Sequence, residues 1–224
     1  MLGHIYPMHN KPSTTLALVY ADDSLVVVNK PAGLLAVPGR GADKADCLSL
    51  RVQQHYTDAL VVHRLDQATS GLMLMARGLA MQRSLNLMFE ARSVLKTYGA
   101  VVHGLVVLDE GRIDLPLAAD WPARPKQKVD LAAGKSALTN FRVLSRDTQN
   151  HTTRLELQPV TGRTHQLRVH LCAIGHPIVG DGLYGSEAHA SATSASRLCL
   201  HAQHLALQHP HTAQPLEWTV NAEF

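Results

Sequence analysis

Cysteine is scarce in this chain of 224 residues: there are three, Cys47, Cys172 and Cys199. Their number is odd, their spacings are wide and no CxxC pair occurs. That excludes a disulfide framework and a cysteine-based zinc site. Long apolar runs are missing as well. No stretch approaches the roughly 20 apolar residues that cross a bilayer. Met1 to Thr15 is polar, contains proline and holds no apolar run of signal-peptide length. A reducing, cytoplasmic setting with no membrane partner is the expectation. Repeats of fixed period are absent, and so are linkers that would divide the chain. Charge of either sign is in small excess only: 21 Lys and Arg against 18 Asp and Glu, a net of +3. Composition alone therefore selects no nucleic-acid partner.

What is present supports one sizeable core, since 46% of the residues are hydrophobic. Leu16 to Tyr20 and Leu25 to Val28 read as a hairpin around Asp22, Asp23 and Ser24. Asn29 to Gly33 reads as a loop, Leu48 to Tyr56 as a short helix, and Val61 to His63 and Leu72 to Ala76 as strands. Met81, Leu85, Met88 and Phe89 fall at helical spacing and predict a helix over Gly78 to Arg92. Thr97 to Val102 reads as strand, and Ile113 to Val143 as broken strand. Thr153 to Leu157 alternates as a strand does. A helix is predicted over Thr164 to Ile174, with Leu167, Leu171 and Ile174 on one face and Gly175 as its stop. Ser186 to Ser196 reads as a mobile loop, and Leu198 to Leu207 and Leu216 to Val220 as late strands. Many short strands with few helices predict an α+β fold built on a mainly antiparallel mixed sheet with flanking helices and a central cleft. Residues 1–15 are expected to be a tail or arm, and 16–224 a single catalytic domain.

The charges are unevenly spread. Trp121 to Lys128 carries Arg124, Lys126 and Lys128 with no acid, and Leu157 to Gly180 carries Arg163, Arg168 and three histidines with none. Phosphate contacts require local positive surface of this kind, although a solvated basic turn explains each residue about as well. Fourteen histidines also raise a metal site. His165 and His170 are five apart and His201 and His204 three apart, but neither pair has a convincing third ligand and no HExxH occurs. No metal is expected.

The segment from His63 to Gly71 is the least ordinary. One strand delivers Arg64 and Asp66 into a loop of small polar residues, and a second apolar strand leaves it. Groups on a loop between rigid strands are held yet reachable. An aspartate there serves as nucleophile or general base, or simply caps a turn.

HRLDQATSGL resembles the HRLD-x-x-TSG signature of the RluA family of pseudouridine synthases. Asn29 to Leu34 is similar to that family's NKPxGL segment and Lys96 to Tyr98 to its K-x-Y strand. Gly162 to His170 is similar to GRTHQIRxH, and Gly180 to Gly185 to GDxxYG. The blocks occur in the family's order from about Leu16 onward. Asp120 to Lys128 further resembles a stretch of the member that acts on both 23S rRNA and the anticodon stem-loop of certain tRNAs.

The resemblance implies an isomerase that breaks the bond from uracil N1 to ribose C1′, turns the base and rejoins it through C5. No redox change occurs and no group is gained, so no cofactor is expected. RNA is the expected partner and a monomer the expected state. By the same resemblance Asp66 is the catalytic carboxylate. Attack on C1′, attack on the uracil ring, and abstraction of the 2′ proton to give a glycal all stay open for it. Arg163 is expected to pair with Asp66, since a guanidinium keeps a carboxylate ionised and oriented. Tyr98 matches the tyrosine that stacks on the target uracil and helps remove the C5 proton. Leu167 is expected to wall the other side of the base. The base must leave its stack before it can react, and Arg64 is expected to fill the space it vacates. His63, Arg124, Lys126 and Lys128 complete the expected substrate contacts. A non-catalytic RNA-binding module would need the basic surface but not Asp66. A glycosidase-like hydrolase would share the carboxylate near C1′ but release free uracil.

Overall fold

A computed structural model describes residues 16–41, 44–185 and 195–224. The expected N-terminal tail, and most of the Ser/Ala-rich segment, lie outside the described residues.

The first hairpin forms as expected. β1 (Leu18–Ala21) and β2 (Leu25–Lys30) pair antiparallel. The Asp22 carboxylate closes their turn by accepting the amides of Ser24 and Leu25 at 2.7 and 2.8 Å. β2 then pairs with β4 (Ser70–Arg77), which also carries the short β3 (Ala59–Val61). The central strands are buried on both faces, so successive side chains feed two separate cores. Leu25, Val27, Leu72 and Leu74 pack with Met81 and Leu85 of α2 (Gly78–Glu90). Val26, Val28, Met73 and Met75 pack on the opposite face with Leu48 and Val52 of α1 (Leu48–Gln53).

The second half is built on β5 (Leu95–His103), β6 (Glu110–Asp114), β9 (Leu138–Asp147) and β10 (Thr152–Pro159), with β11 (Leu200–Gln208) and β12 (Pro215–Thr219) completing the sheet. The ten-stranded sheet runs β1-β2-β4-β11-β5-β10-β9-β6, with β3 on β4 and β12 on β11. Among the described residues its pairings are antiparallel except β4 with β11, in keeping with the predicted mixed α+β sheet. A separate two-stranded ribbon, β7 (Leu117–Ala119) with β8 (Gln127–Val129), carries the basic turn. Helix α3 (Gln166–Ala173) covers this half, with Leu167 and Leu171 in the core alongside Ala100, Val102, Leu155 and Leu157. The helix predicted over Thr164 to Ile174 is shorter at both ends, spanning Gln166–Ala173. Ile174 lies at the helix end and is exposed.

The two halves meet where β4 and β11 pair, through His201 with Ser70 and Ala202 with Gly71. Gly71 has a φ of 114°, and a β-carbon there would stand 2.3 Å from the Ala202 carbonyl oxygen. Only glycine permits this approach. It sets the loop from His63 to Thr69 directly over β5 and α3.

Candidate active site

A cleft of about 110 Å³ opens at this junction, lined by Arg64, Asp66, Lys96, Tyr98, Arg163, His165, Leu167 and Arg168 among others. Asp66 is carried by a turn in which the Thr69 amide donates to its carbonyl at 3.1 Å. Its side chain retains 27% exposure, so the carboxylate is reachable from the cleft.

The loop is fixed from below by Lys30. This side chain is fully buried, and its ammonium donates to the carbonyls of Pro31, Leu34 and Gln67 at 3.0, 2.7 and 3.0 Å. All three donors are thereby used, which offsets the cost of burying the charge. Burial lowers its pKa to about 8, against the opposing pull of Asp66. The lysine of the NKPAGL segment thus clamps that segment to the loop that carries Asp66.

Arg163 does not pair with Asp66 as expected. It precedes α3, is exposed, and its Nε donates to the Ser136 carbonyl at 3.1 Å. The guanidinium beside Asp66 belongs to Arg168, whose Nη1 lies 3.6 Å from Oδ2. His165 stands on the other side, with Nε2 4.0 Å from Oδ1. Arg168 is carried to Asp66 on the first turn of α3 and His165 stands just ahead of that turn, whereas Arg163 lies before the helix and turns toward Ser136.

Arg168 is held rigidly from behind. Its Nε and Nη2 donate to the two oxygens of Asp181 at 2.8 and 2.7 Å, a bidentate pair. Asp181 is wholly inaccessible on its side chain and also accepts the amides of Leu183 and Tyr184 at 2.9 and 3.1 Å. Burial works to raise the Asp181 carboxyl, but the bonds and charge of Arg168 and the two amides outweigh it and hold it below the ordinary value.

The other expected site residues are spread around the cleft. Tyr98 lines it, and burial together with the Asp66 charge raises its pKa, so the phenol keeps its proton. Leu167 is buried at the cleft wall. Arg64 is exposed at the mouth. His63 lines an adjoining groove, but its Nε2 accepts the Leu74 amide at 2.9 Å and its ring stacks on Phe89 at 4.8 Å. It pins the loop to β4. Arg124 lies 4.1 Å over the exposed Trp121 ring. Lys126 and Lys128 flank Gln127, whose amide donates to Tyr184 Oη at 2.8 Å, so the basic turn is tied to the cleft. Of the histidines weighed as metal ligands, His170 bonds to Thr139 Oγ1 and the Leu115 carbonyl. His201 bonds to Ser70 Oγ and the Val220 carbonyl. Among the described residues no cluster of three His, Cys, Asp or Glu has metal-binding geometry, and no helix is long and apolar enough to cross a membrane.

Burial pulls the pKa of His63, His165, His170 and His201 below the ordinary imidazole value, His63 to about 3. These rings bind protons more readily in the unfolded chain. The stability they contribute is full above about pH 6.5 and is lost as pH falls toward the folded values. For His63 alone the loss at about pH 5 is about 2 kcal/mol. Thermal unfolding followed from pH 7 down to pH 5 should show a steadily falling Tm, with a smaller slope in His63→Gln. A flat profile would mean that these rings are not buried neutral.

Residues 24–173 match the family described as RNA pseudouridylate synthase. The chain is 50% identical over 210 residues to the dual-specificity RNA pseudouridine synthase RluA of Yersinia pestis, covering 93% of this chain and 100% of that one. The protein of the same name from Escherichia coli (strain K12) is 47% identical, with 93% and 94% covered. The Haemophilus influenzae protein is 44% identical over 209 residues. Among solved structures, human RNA pseudouridylate synthase domain containing 1 superposes with a TM-score of 0.78 at 28% identity, covering 97% of this chain and 87% of that one. Human RNA pseudouridylate synthase domain containing 4 gives 0.72 at 27% identity, covering 92% and 88%. The order of the sequence blocks, the sheet that brings them to one cleft and these likenesses agree: the chain belongs to the RNA pseudouridylate synthase family and is an isomerase of uridine in RNA.

Proposed function

We propose that this enzyme converts uridines to pseudouridine both in the tRNA anticodon stem-loop and in 23S rRNA, by flipping the target base into the cleft beside Asp66. The observation that carries the chemical part is Asp66 itself, a reachable carboxylate facing Arg168 and His165 across a narrow cleft that Tyr98 also lines. The dual substrate is supported by the names of the relatives and by their near-complete overlap with this chain.

In the reaction the N1–C1′ bond breaks, C5 bonds to C1′, C5 loses a proton and N1 gains one. Asp66 is the catalytic carboxylate. Tyr98 stacks on the uracil, a role suited to a phenol that keeps its proton. Leu167 supplies apolar wall, and the exposed guanidinium of Arg163 at the rim is placed to meet the nucleotide. Arg168 and Asp181 hold the carboxylate in place. Arg64 at the mouth fills the space left by the flipped base, since a planar cation can stack and hydrogen-bond at once. His63 supports this segment from behind. Arg124 and Lys126 on the turn and Lys128 on β8 meet phosphates. Residues 16–224 act as one catalytic unit, in keeping with the continuous sheet. The enzyme works as a cytoplasmic monomer, and it needs neither cofactor nor metal.

The test is to incubate purified protein with transcribed anticodon stem-loops and 23S rRNA fragments, without added nucleotide or metal, and to map pseudouridine. Modification of both RNAs is expected. Modification of one alone removes the dual assignment, and release of free uracil indicates hydrolysis instead. Arg64→Ala is expected to slow turnover about tenfold or more while the RNA Kd stays within about threefold. Unchanged kinetics would remove Arg64 from base flipping.

A further inference from the structure

His165 is oddly placed for a residue at the start of a helix. It is the N-cap of α3 in the left-handed region, with a φ of 54°, and its side chain caps no helix amide. Such a conformation costs a residue with a β-carbon about 1 kcal/mol or more and persists only where the surroundings hold it. The ring shows what holds it. Nδ1 lies 2.7 Å from Tyr184 Oη, and Tyr184 Oη accepts the Gln127 amide at 2.8 Å.

An amide can only donate, so the tyrosine oxygen accepts on that side and its single proton is free for His165 Nδ1. With that proton directed to Nδ1, the neutral ring has its own proton on Nε2, the atom that faces Asp66 Oδ1 at 4.0 Å. Burial is the strongest influence on the ring and favours the neutral form. Asp66 and Asp181 oppose it, and Arg168 and Arg64 reinforce it. The two carboxylate oxygens of Asp66 are thus bracketed, Oδ2 by Arg168 and Oδ1 by the His165 N–H. Both distances exceed a hydrogen bond, as is common in free enzymes whose catalytic contacts tighten on substrate.

We propose that His165, oriented by Tyr184, is a positioning residue whose Nε2–H closes on Asp66 as the uridine enters and fixes the carboxylate in its reacting orientation. This rests on Asp66 being the reacting carboxylate. His165 does not touch the base; it acts through Asp66. The basic turn contributes by anchoring the tyrosine through the Gln127 amide.

The test uses single-turnover rates and RNA Kd with an anticodon stem-loop for His165→Ala, His165→Gln and Tyr184→Phe, with Tm measured for each. Glutamine returns an N–H near the Nε2 position, and it bears the same left-handed backbone cost as alanine. His165→Ala is expected to slow the chemical step about tenfold with Kd within about twofold, and His165→Gln to recover most of that rate. Tyr184→Phe should be slowed to a similar degree, and the His165→Ala/Tyr184→Phe double variant no further, because the two act as one unit. Equal slowing of the Ala and Gln variants at equal Tm, or a loss confined to Kd, overturns the proposal. So does a wild-type rate in His165→Ala; if Asp66→Asn is inactive in the same assay, the assignment of Asp66 still stands. An active Asp66→Asn overturns both.

Discussion

Asp66→Asn will lower the single-turnover rate of pseudouridine formation by about a thousandfold or more, with RNA binding nearly unchanged. The substitution keeps the shape and removes the charge. Its amide oxygen can still face Arg168, so the fold of the cleft is retained and Tm should shift little. Because C5 must give up its hydrogen, release of tritium from C5-labelled uridine in an anticodon stem-loop reads the step directly. Retention of more than about a tenth of the wild-type rate would mean that the carboxylate is not the reacting group.

Asp181→Ala should cost the fold about 3–5 kcal/mol, because it leaves the buried Arg168 guanidinium without its bidentate partner. That is a large fraction of the roughly 5–15 kcal/mol that separates a typical domain from its unfolded chain. Urea unfolding at pH 7 measures it. The double variant Arg168→Met/Asp181→Leu should recover much of the stability, since replacing a whole buried ion pair with apolar groups is often neutral or stabilising. It should not recover activity, because Asp66 then lacks its cation. A loss below about 1 kcal/mol in Asp181→Ala would show the pair to be solvated.

The elements with strong local signals were legible in the sequence. Met81 and Leu85 are buried on α2 where their spacing put them, and the Asp22 turn joins two strands as its composition suggested. The stretch from Ile113 to Val143 was legible only as broken strand. It divides between the edge of the main sheet and the separate β7–β8 ribbon, a choice made by distant partners rather than by local pattern. In the site, the blocks around Asp66, Tyr98 and Arg163 mark residues that do line one cleft, but the cation beside Asp66 is Arg168 and not the expected Arg163. Arg168 sits between Leu167 and Val169 inside a buried helix, where a charge needs a partner. The nearest acid after it, Asp181, ends an acid-free stretch, and that was the available clue. Lys30 closes β2 two residues after a run of valines and offers the same clue: a charge delivered into the interior must find acceptors there.

The pairing of β4 with β11 has a consequence for how the molecule comes into being. Ser70 and His201, bonded at 2.8 Å, are 131 positions apart in the chain. Contacts between such distant segments form late and slowly, because the closure entropy is spent before the contact returns anything. During synthesis the segment bearing Asp66 emerges long before β11. It reaches its final seat on the Ala202 backbone only when the last strands have left the ribosome. The order of synthesis therefore delays the cleft, and with it the chemistry, until β11 is available to fill the gap between β4 and β5 and to add Leu200, Leu205 and Leu207 to the two cores.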